Sequence, residues 1–415
     1  MGEIFLKRSL KRNYYILVTV VFIGFLLFGI SENVRGPAIP KIQDDFKIGE
    51  AQLGLLLALN SLGFLLACTY TSVLANKIGI KATATLAFVA MALSGVCLFA
   101  STSFSYLVAS FFFLYIGNGM LEIALAIIAA QIFKNHTGTM MNLSHFFYGL
   151  GSTLAPVMAA SLMGWEVAGG ELGWRYMYML VLSLSILPII PTLLARFSKE
   201  DEDEGEEKTS FQKLVKDRVA WMIVLILTFG STAELATASW LVNYYVHVFD
   251  WSIEDASKVL SLFFFFFMLA RLFLGPVTDK MGYARSILLF SLISGVCGIV
   301  GIILGNHGAF AIALAGAGIA PIYPTIMALL AKRYKKGTGT AIAFSVSIMG
   351  IGSVIFNLFI GFFIEGLNMI TDYFGVFYGM NIGMQIGFAL IITTPFACVI
   401  SCLFLSKLLN KEEEV

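Results

Sequence analysis

Residues 72–81 read SVLANKIGIK, and residues 275–284 read GPVTDKMGYA. One shift along the chain superposes three pairs of positions in these stretches: Asn76 on Asp279, Lys77 on Lys280 and Gly79 on Gly282. The same shift brings Glu32 to within one residue of Glu234. Six-helix repeats of this kind are a common plan among membrane transporters, so the repeat predicts a chain built from two related halves.

The apolar residues around these stretches come in blocks of about 20, the length that a helix needs to cross roughly 30 Å of hydrocarbon. Hydrophobic residues make up 58% of the 415 residues and charged residues only 13%, far fewer than in a soluble domain. Because lipid offers the backbone no hydrogen-bond partners, such blocks must be helices. The sequence therefore predicts an all-α membrane protein with twelve spans in two pseudo-symmetric six-helix bundles, at 14–40, 53–74, 82–100, 106–132, 140–163, 176–194, 221–246, 257–277, 286–304, 309–330, 340–363 and 382–405.

One long charged stretch, residues 196–218, lies midway along the chain and contains the run EDEDEGEE followed by several basic residues. Such a composition is typical of a solvated linker. We therefore predict an N-terminal half at 1–195, a cytoplasmic linker at 196–218 and a C-terminal half at 219–415.

Lysine and arginine gather at both ends of the chain and in alternate loops. Cytoplasmic loops of membrane proteins carry an excess of these residues. The pattern predicts a multi-pass protein of the cell membrane, the inner or plasma membrane, with both termini in the cytoplasm.

Ionisable residues inside the apolar blocks are costly and are therefore functional candidates. The carboxylates among them are Glu32, Glu122 and Glu234. We predict that these three carry or couple protons. Glu32 lies within one helical turn of Arg35, and mutual neutralisation of these two residues is the structural alternative.

Several stretches resemble the fucose–galactose–glucose proton symporters, a family of the major facilitator type. They are GNGMLEIALAIIAAQIF from residue 117, MNLSHFFYGLGSTLAP from residue 141, GSTAELATASWLVNYY from residue 230 and YPTIMALLAK from residue 323. The resemblance implies that Glu122 is the essential membrane carboxylate and that Asn142, His145 and Glu234 contact sugar.

The loop GPVTDKMG also resembles the signature loop that follows the second helix of each major facilitator half. The resemblance implies that Asp279, Lys280 and Gly282 hold neighbouring helices in one of two positions, and we group Arg271 with this conformational role. The first-half copy departs from the pattern, because Ser72 replaces its glycine and Asn76 its aspartate.

Span one also departs from the family, which has an aspartate a few residues before a proline. Aligned on Pro40, that position holds Gly36, and Glu32 lies one turn earlier on the same face. Arg35 has no counterpart in the family, which leaves room for an anionic substrate.

Aromatic and amide side chains at the depth of a central cavity suit a sugar, whose C–H faces stack on rings and whose hydroxyls bind amides. Trp240, Tyr244 and Asn357 complete the predicted substrate-binding set on this ground.

These features predict a secondary active transporter, not an enzyme, that imports a neutral hexose or 6-deoxyhexose with a proton by alternating access. Coupling to sodium instead of a proton, and export instead of import, fit the same residues. We expect the protein to be a monomer. No cofactor, metal site or nucleic-acid partner is predicted. The alternatives are a proton-coupled exporter of amphipathic drugs or lipids, favoured by GSTLAPVMAA at 151–160, and a sensor that binds without transporting.

Overall fold

The computed structural model describes residues 2–133, 137–167, 169–197, 211–334, 337–374 and 381–413. Within these ranges, the side chains of residues 2–10, 137–139, 142, 279 and 410–413 are not described.

The described chain is helical apart from its connections and one two-stranded hairpin. In chain order, the helices are α1 Gly2–Asn33, α2 Arg35–Phe46, α3 Glu50–Ile78, α4 Ile80–Phe99, α5 Phe104–Ile132, α6 Thr137–Met163, α7 Gly173–Ser183, α8 Ile189–Leu194, α9 Phe211–Lys216, α10 Arg218–Phe249, α11 Ile253–Phe273, α12 Gly275–Met281, α13 Tyr283–Leu304, α14 Ala309–Ile319, α15 Ile322–Arg333, α16 Thr338–Phe374 and α17 Ile382–Glu413. The antiparallel strands are β1 Glu166–Val167 and β2 Gly170–Glu171, and short 3₁₀ turns lie at Leu184–Ile186 and Gly305–His307.

Within the described residues, twelve helical segments are long and apolar enough to cross a membrane. Numbered as spans one to twelve, they are Lys11–Phe46, Glu50–Ile78, Ile80–Phe99, Phe104–Ile132, Leu143–Met163, Gly173–Leu194, Arg218–Phe249, Ile253–Phe273, Tyr283–His307, Ala309–Arg333, Thr338–Phe374 and Ile382–Leu409. Each predicted span overlaps one of these segments, so the twelve-span prediction is confirmed.

The repeated glycines of the two signature-like stretches adopt the same backbone conformation. Gly79 has φ 85° and ψ 149°, and Gly282 has φ 85° and ψ 146°. A side chain is strained at such a positive φ, which explains why glycine stands at both positions. Each glycine links two helices: α3 to α4 in the first copy and α12 to α13 in the second.

Spans one and ten are each interrupted close to a proline. Span one changes from α1 to α2 at Val34, because Pro37 has no amide hydrogen to donate to the carbonyl of Asn33, four residues earlier. Span ten is interrupted between α14 and α15, at Ala320 and Pro321. Both breaks expose backbone polar groups at membrane depth, where something else must satisfy them.

The chain divides into two compact units, of which unit 1 contains residues Met1–Ala38 and Leu59–Glu202. In unit 1, α1 packs against α6 so closely that glycine is required on both helices. A Cβ atom on Gly29 would strike the carbonyl oxygen of Tyr148, and one on Gly151 would strike that of Leu26. This contact fixes span one beside span five.

Unit 2 contains residues Ile39–Ala58 and Asp203–Val415. Here the start of α3 lies against α16 in another backbone contact. A Cβ on Gly361 would lie 2.5 Å from the carbonyl oxygen of Glu50 and 2.7 Å from the Cα atom of Gly54. One turn further, the backbone amide of Ala51 donates to Glu365 Oε2 at 2.8 Å. Glu365 thus caps the N-terminus of α3, where a negative charge is favourable.

The residues that lead into span seven are anchored to unit 2. Leu214 of α9 is buried, and the Phe211 ring lies edge-on to Phe344, 5.3 Å between centroids. Asp217 caps α10 by accepting from the Val219 amide at 2.8 Å, and it also accepts from the Tyr334 hydroxyl at 2.6 Å.

The surroundings of Asp217 lower its pKa. Burial acts to raise this pKa, but hydrogen bonds from Tyr334 and the Val219 amide, together with the charge of Arg333, outweigh that effect. The ionised form is therefore the one that stabilises the start of span seven.

We expect Gly361→Ala to lower the free energy of unfolding by about 1 to 3 kcal/mol, because the added methyl group overpacks the α3–α16 contact. Gly366→Ala is the matched control on the same helix, since a Cβ there meets no atom within 4 Å. That control should be neutral or slightly stabilising, because alanine favours helix more than glycine. Thermal unfolding of the purified protein in detergent measures both, and equal melting temperatures would contradict the packing argument.

We expect Asp217→Asn to be less stable than the wild type at neutral pH, although asparagine is also a good helix cap. A carboxyl whose pKa is lowered on folding stabilises the protein at pH values above its ordinary pKa of 3.8. This contribution is lost as the pH falls through the pKa of the folded state. The difference in melting temperature between the two proteins should therefore shrink towards pH 3. Tyr334→Phe should weaken this pH dependence, whereas a difference that grew on acidification would oppose the assigned direction.

Candidate functional site: charged groups inside the spans

The break in span one carries a buried polar cluster in unit 1. Glu32 is 5% exposed and Arg35 7%, on either side of Val34. Asn118 of span four donates from Nδ2 to Glu32 Oε1 at 3.1 Å, and its own Oδ1 accepts from the Ser31 hydroxyl at 3.0 Å. Span four thus supplies an uncharged donor to the carboxylate of span one.

Arg35 is held in the same cluster by Tyr115. Its Nη1 atom donates to the Tyr115 hydroxyl, and its guanidinium carbon lies 5.4 Å from the centroid of that ring. Glu32 and Arg35 also attract each other electrostatically. Glu32 and Arg35 therefore belong to one buried cluster of unit 1.

Glu122 lies on the same face of span four as this cluster. Tyr115, Asn118 and Glu122 are spaced by three and four residues, so their side chains form one stripe along the helix. The Cys68 thiol of span two lies 4.0 Å from Glu122 Oε2, a distance at which a thiol bonds only weakly. The predicted proton carrier, Glu122, therefore shares a helix face with Asn118 and Tyr115, which bind Glu32 and Arg35.

The predicted sugar contacts of span five lie partly outside the described residues. His145 is half-buried, and its ring lies 5.3 Å from that of Phe25. Asn142 lies within α6, but its side chain is outside the described residues.

Unit 2 contains an ion pair inside the spans, between Glu234 of span seven and Arg271 of span eight. Arg271 Nη2 lies 3.7 Å from Glu234 Oε2, and both side chains are largely buried, with exposures of 14% and 13%. The guanidinium carbon lies 4.2 Å from the centroid of the Phe267 ring. Arg271 Nε donates to the carbonyl oxygen of Ala320 at 3.3 Å, at the break in span ten.

A small recess lies beside this ion pair, walled by spans seven and ten. Its lining residues combine a carboxylate, a hydroxyl and a phenol with apolar groups: Leu227, Gly230, Ser231, Glu234, Ile319, Ile322 and Tyr323. The walls of this recess thus combine hydrogen-bonding groups with apolar surface.

The other predicted substrate contacts of unit 2 are not among the residues that line this recess. Trp240 is fully buried, and Tyr244 stacks on Phe388 at 4.3 Å between centroids. Asn357 donates from Nδ2 to the Ser353 carbonyl of its own helix at 3.0 Å.

The buried face of span seven carries more polar groups than the sequence analysis selects there. Thr237, Trp240 and Asn243 follow one another at three-residue intervals and are buried. Among the described residues, none of the Thr237 hydroxyl, the Trp240 Nε1 atom or the Asn243 amide has a hydrogen-bond partner. The sequence prediction did not include Thr237, although polar residues at helical spacing within an apolar span were a usable signal. Tyr115 and Ser31 were missed in the same way.

The predicted conformational loop falls into two parts. Lys280 is exposed in α12, and Gly282 ends that helix with a positive φ. The Asp279 side chain lies outside the described residues. Arg271, which the sequence analysis groups with this loop, contacts Glu234 and the break in span ten.

Comparison with known protein families gives a match over most of the chain. The family model described as Major Facilitator Superfamily matches residues 21–357. An uncharacterized transporter of Sinorhizobium fredii, y4wD, is 24% identical over 361 residues, which cover 85% of this chain and 92% of that protein.

Two solved structures share the fold across nearly the whole chain. A bacterial homologue of the human lysosomal transporter Spinster, in an inward-facing and unoccupied conformation, has a TM-score of 0.73 at 14% identity and covers 95% of this chain and 96% of its own. The E. coli fucose:proton symporter FucP has a TM-score of 0.61 at 18% identity and covers 92% and 98%.

We expect Asn118→Leu to cost about 1 to 3 kcal/mol of stability, because it leaves the buried Glu32 carboxylate without this donor. Thr153→Val on span five is the control, since the Thr153 hydroxyl donates to a carbonyl of its own helix, that of Gly149, at 2.8 Å. Adding Glu32→Gln to Asn118→Leu should cost less than the sum of the two single changes, as expected for residues in contact. Thermal unfolding of the four variants measures the coupling, and strict additivity would contradict the cluster.

Proposed function

The chain belongs to the major facilitator superfamily, whose fold is that of membrane transporters and not of enzymes, and we propose that it imports a neutral monosaccharide together with a proton. The cell membrane is its location in this proposal, with both termini in the cytoplasm, and it works as a monomer. Alternating access exposes a central site to either side in turn.

The observation that carries the proposal is the stripe on span four. Glu122 lies one turn from Asn118, and Asn118 holds the Glu32 carboxylate by a hydrogen bond of 3.1 Å. When Glu122 binds a proton, the charge near the Asn118 amide changes. The hydrogen bond from Asn118 to Glu32 responds to that change and transmits it to the break in span one. Carboxylates inside membrane spans are the usual elements of proton relays in transporters.

The recess of unit 2 supports a neutral, hydroxyl-bearing substrate. Glu234, Ser231 and Tyr323 offer hydrogen bonds, and three apolar side chains cover the rest of its walls. Arg271 already pairs with Glu234 there, so the recess carries no net positive charge that would select an anion. Trp240, Tyr244, His145, Asn142 and Asn357 remain the further substrate contacts of the proposal.

An anionic substrate is the second candidate, and buried Arg35 is the observation that favours it. A guanidinium at 7% exposure inside a span is a ready partner for a carboxylate. Glu32 attracts that guanidinium in this structure, so an anion would have to displace Glu32 or bind when Glu32 is protonated.

Counterflow in proteoliposomes separates these candidates. Labelled hexoses, 6-deoxyhexoses and small carboxylates are exchanged at two pH values by the purified protein. Saturable exchange of one sugar, with net uptake that follows an imposed pH gradient, would establish the first candidate. Exchange of a carboxylate alone would establish the second candidate. If no sugar or carboxylate is exchanged and only hydrophobic cations compete for binding to the protein, the exporter alternative is favoured.

We expect Glu122→Gln to keep sugar counterflow, which moves no net protons, and to lose accumulation driven by a pH gradient. For one proton per sugar, a gradient of about one pH unit stores about 1.4 kcal/mol and supports about tenfold accumulation in the wild type. Glu254→Gln is the matched control, because Glu254 is an exposed acid at the start of span eight. Accumulation by Glu122→Gln equal to that of the control would remove the proton role from Glu122.

A further inference from the structure

The break in span ten leaves a backbone group that the helix itself cannot satisfy. The carbonyl of Ala320 would normally accept from the amide four residues later, but that residue is Pro324, which has no amide hydrogen. A carbonyl at membrane depth is costly to leave without a donor. The position of this break therefore depends on a donor from another span.

Arg271 of span eight is that donor. Its Nε atom donates to the Ala320 carbonyl oxygen at 3.3 Å. Its Nη2 atom, in the same planar group, lies 3.7 Å from Glu234 Oε2. The Phe267 ring supports the guanidinium at 4.2 Å. Because the guanidinium is rigid, a shift of its position relative to Glu234 also changes its hydrogen bond to Ala320.

The same break forms part of the wall of the recess. Ile319 is the last residue of α14 and Ile322 the first of α15, and both line the recess together with Glu234. A movement that opened this recess to a ligand would therefore displace the two helix ends on either side of the carbonyl that Arg271 contacts.

We propose that Arg271 is a positioning residue that couples the charge and occupancy of Glu234 to the break in span ten. While Glu234 is ionised and bound to Arg271, the guanidinium stays on the Ala320 carbonyl and fixes α15 relative to α14. A ligand hydroxyl that binds Glu234 competes with Arg271 for the carboxylate and loosens the break. This inference rests on the proposed function only for the identity of that ligand, because the coupling itself is a property of the residues.

Hydrogen–deuterium exchange of the full chain in lipid nanodiscs tests the coupling without any substrate. Glu234→Gln preserves the shape of the side chain and removes its charge. We expect it to speed amide exchange at Ile322 and Tyr323 by about tenfold, because Arg271 is then no longer oriented by a carboxylate. Exchange across Tyr283–Leu304, in span nine of the same unit, should stay unchanged.

Two further variants complete the cycle. Arg271→Lys should speed exchange at the same amides, because lysine cannot bridge both acceptors with a planar group. The double variant should exchange no faster than Arg271→Lys alone, since both changes break one connection. Lys258→Gln is the control on the same helix, because Lys258 forms exposed ion pairs with Glu254 and Asp255.

The proposal is overturned if Glu234→Gln leaves the exchange at Ile322 and Tyr323 unchanged while Arg271→Lys raises it, because Arg271 would then only satisfy the carbonyl. Additive effects of the two changes would overturn it as well. Since no sugar enters these measurements, a failure of the transport proposal in counterflow would not alter their outcome. The two proposals therefore stand or fall separately.

Discussion

The hydrocarbon of a bilayer offers no hydrogen-bond partner to peptide groups, and the arrangement of this chain follows from that constraint. Continuous helices satisfy the backbone along most of every span. Where proline interrupts a helix, the freed groups need side chains from neighbouring spans. The breaks in spans one and ten are also where charged side chains of the candidate site gather.

The two clusters answer the constraint in different ways. In unit 1 the charges of Glu32 and Arg35 lie three residues apart in span one, and span four supplies uncharged partners, Asn118 and Tyr115. In unit 2 a single cation, Arg271, is divided between the carboxylate of Glu234 and a backbone carbonyl of span ten. In unit 1, both charges belong to span one and their uncharged partners to span four. The arrangement in unit 2 ties three spans together, so a change at one of them reaches the others.

Close helix contacts set the rest of the structure. Without a hydrophobic effect between helices in lipid, association depends on packing, and glycine lets backbones approach most closely. Gly29 and Gly151 perform this role in unit 1, and Gly54 and Gly361 perform it in unit 2. Beside the second pair, Glu365 caps the N-terminus of α3 and adds an electrostatic contact to a steric one.

The sequence alone determined the local features of this protein. Block length and hydrophobicity located all twelve spans, because insertion of a helix into lipid depends on its own residues. The repeated glycines could also be identified from the sequence, since the positive φ of Gly79 and Gly282 is a requirement of the local backbone. Glu32, Glu122 and Glu234 could be identified as candidates because a carboxylate inside an apolar block is costly.

Only the tertiary structure decided which of these groups meet. Arg271 was expected to act with the loop after span eight, but it lies on Glu234 and on the carbonyl of Ala320. The partners of Glu32, and the cap that Glu365 places on α3, were not apparent from the sequence either. Each of these contacts joins residues far apart in the chain and depends on how two helices are rotated about their axes. A span that is apolar on every side carries little information about that rotation, so the pairing of its few polar residues is fixed only when the helices pack.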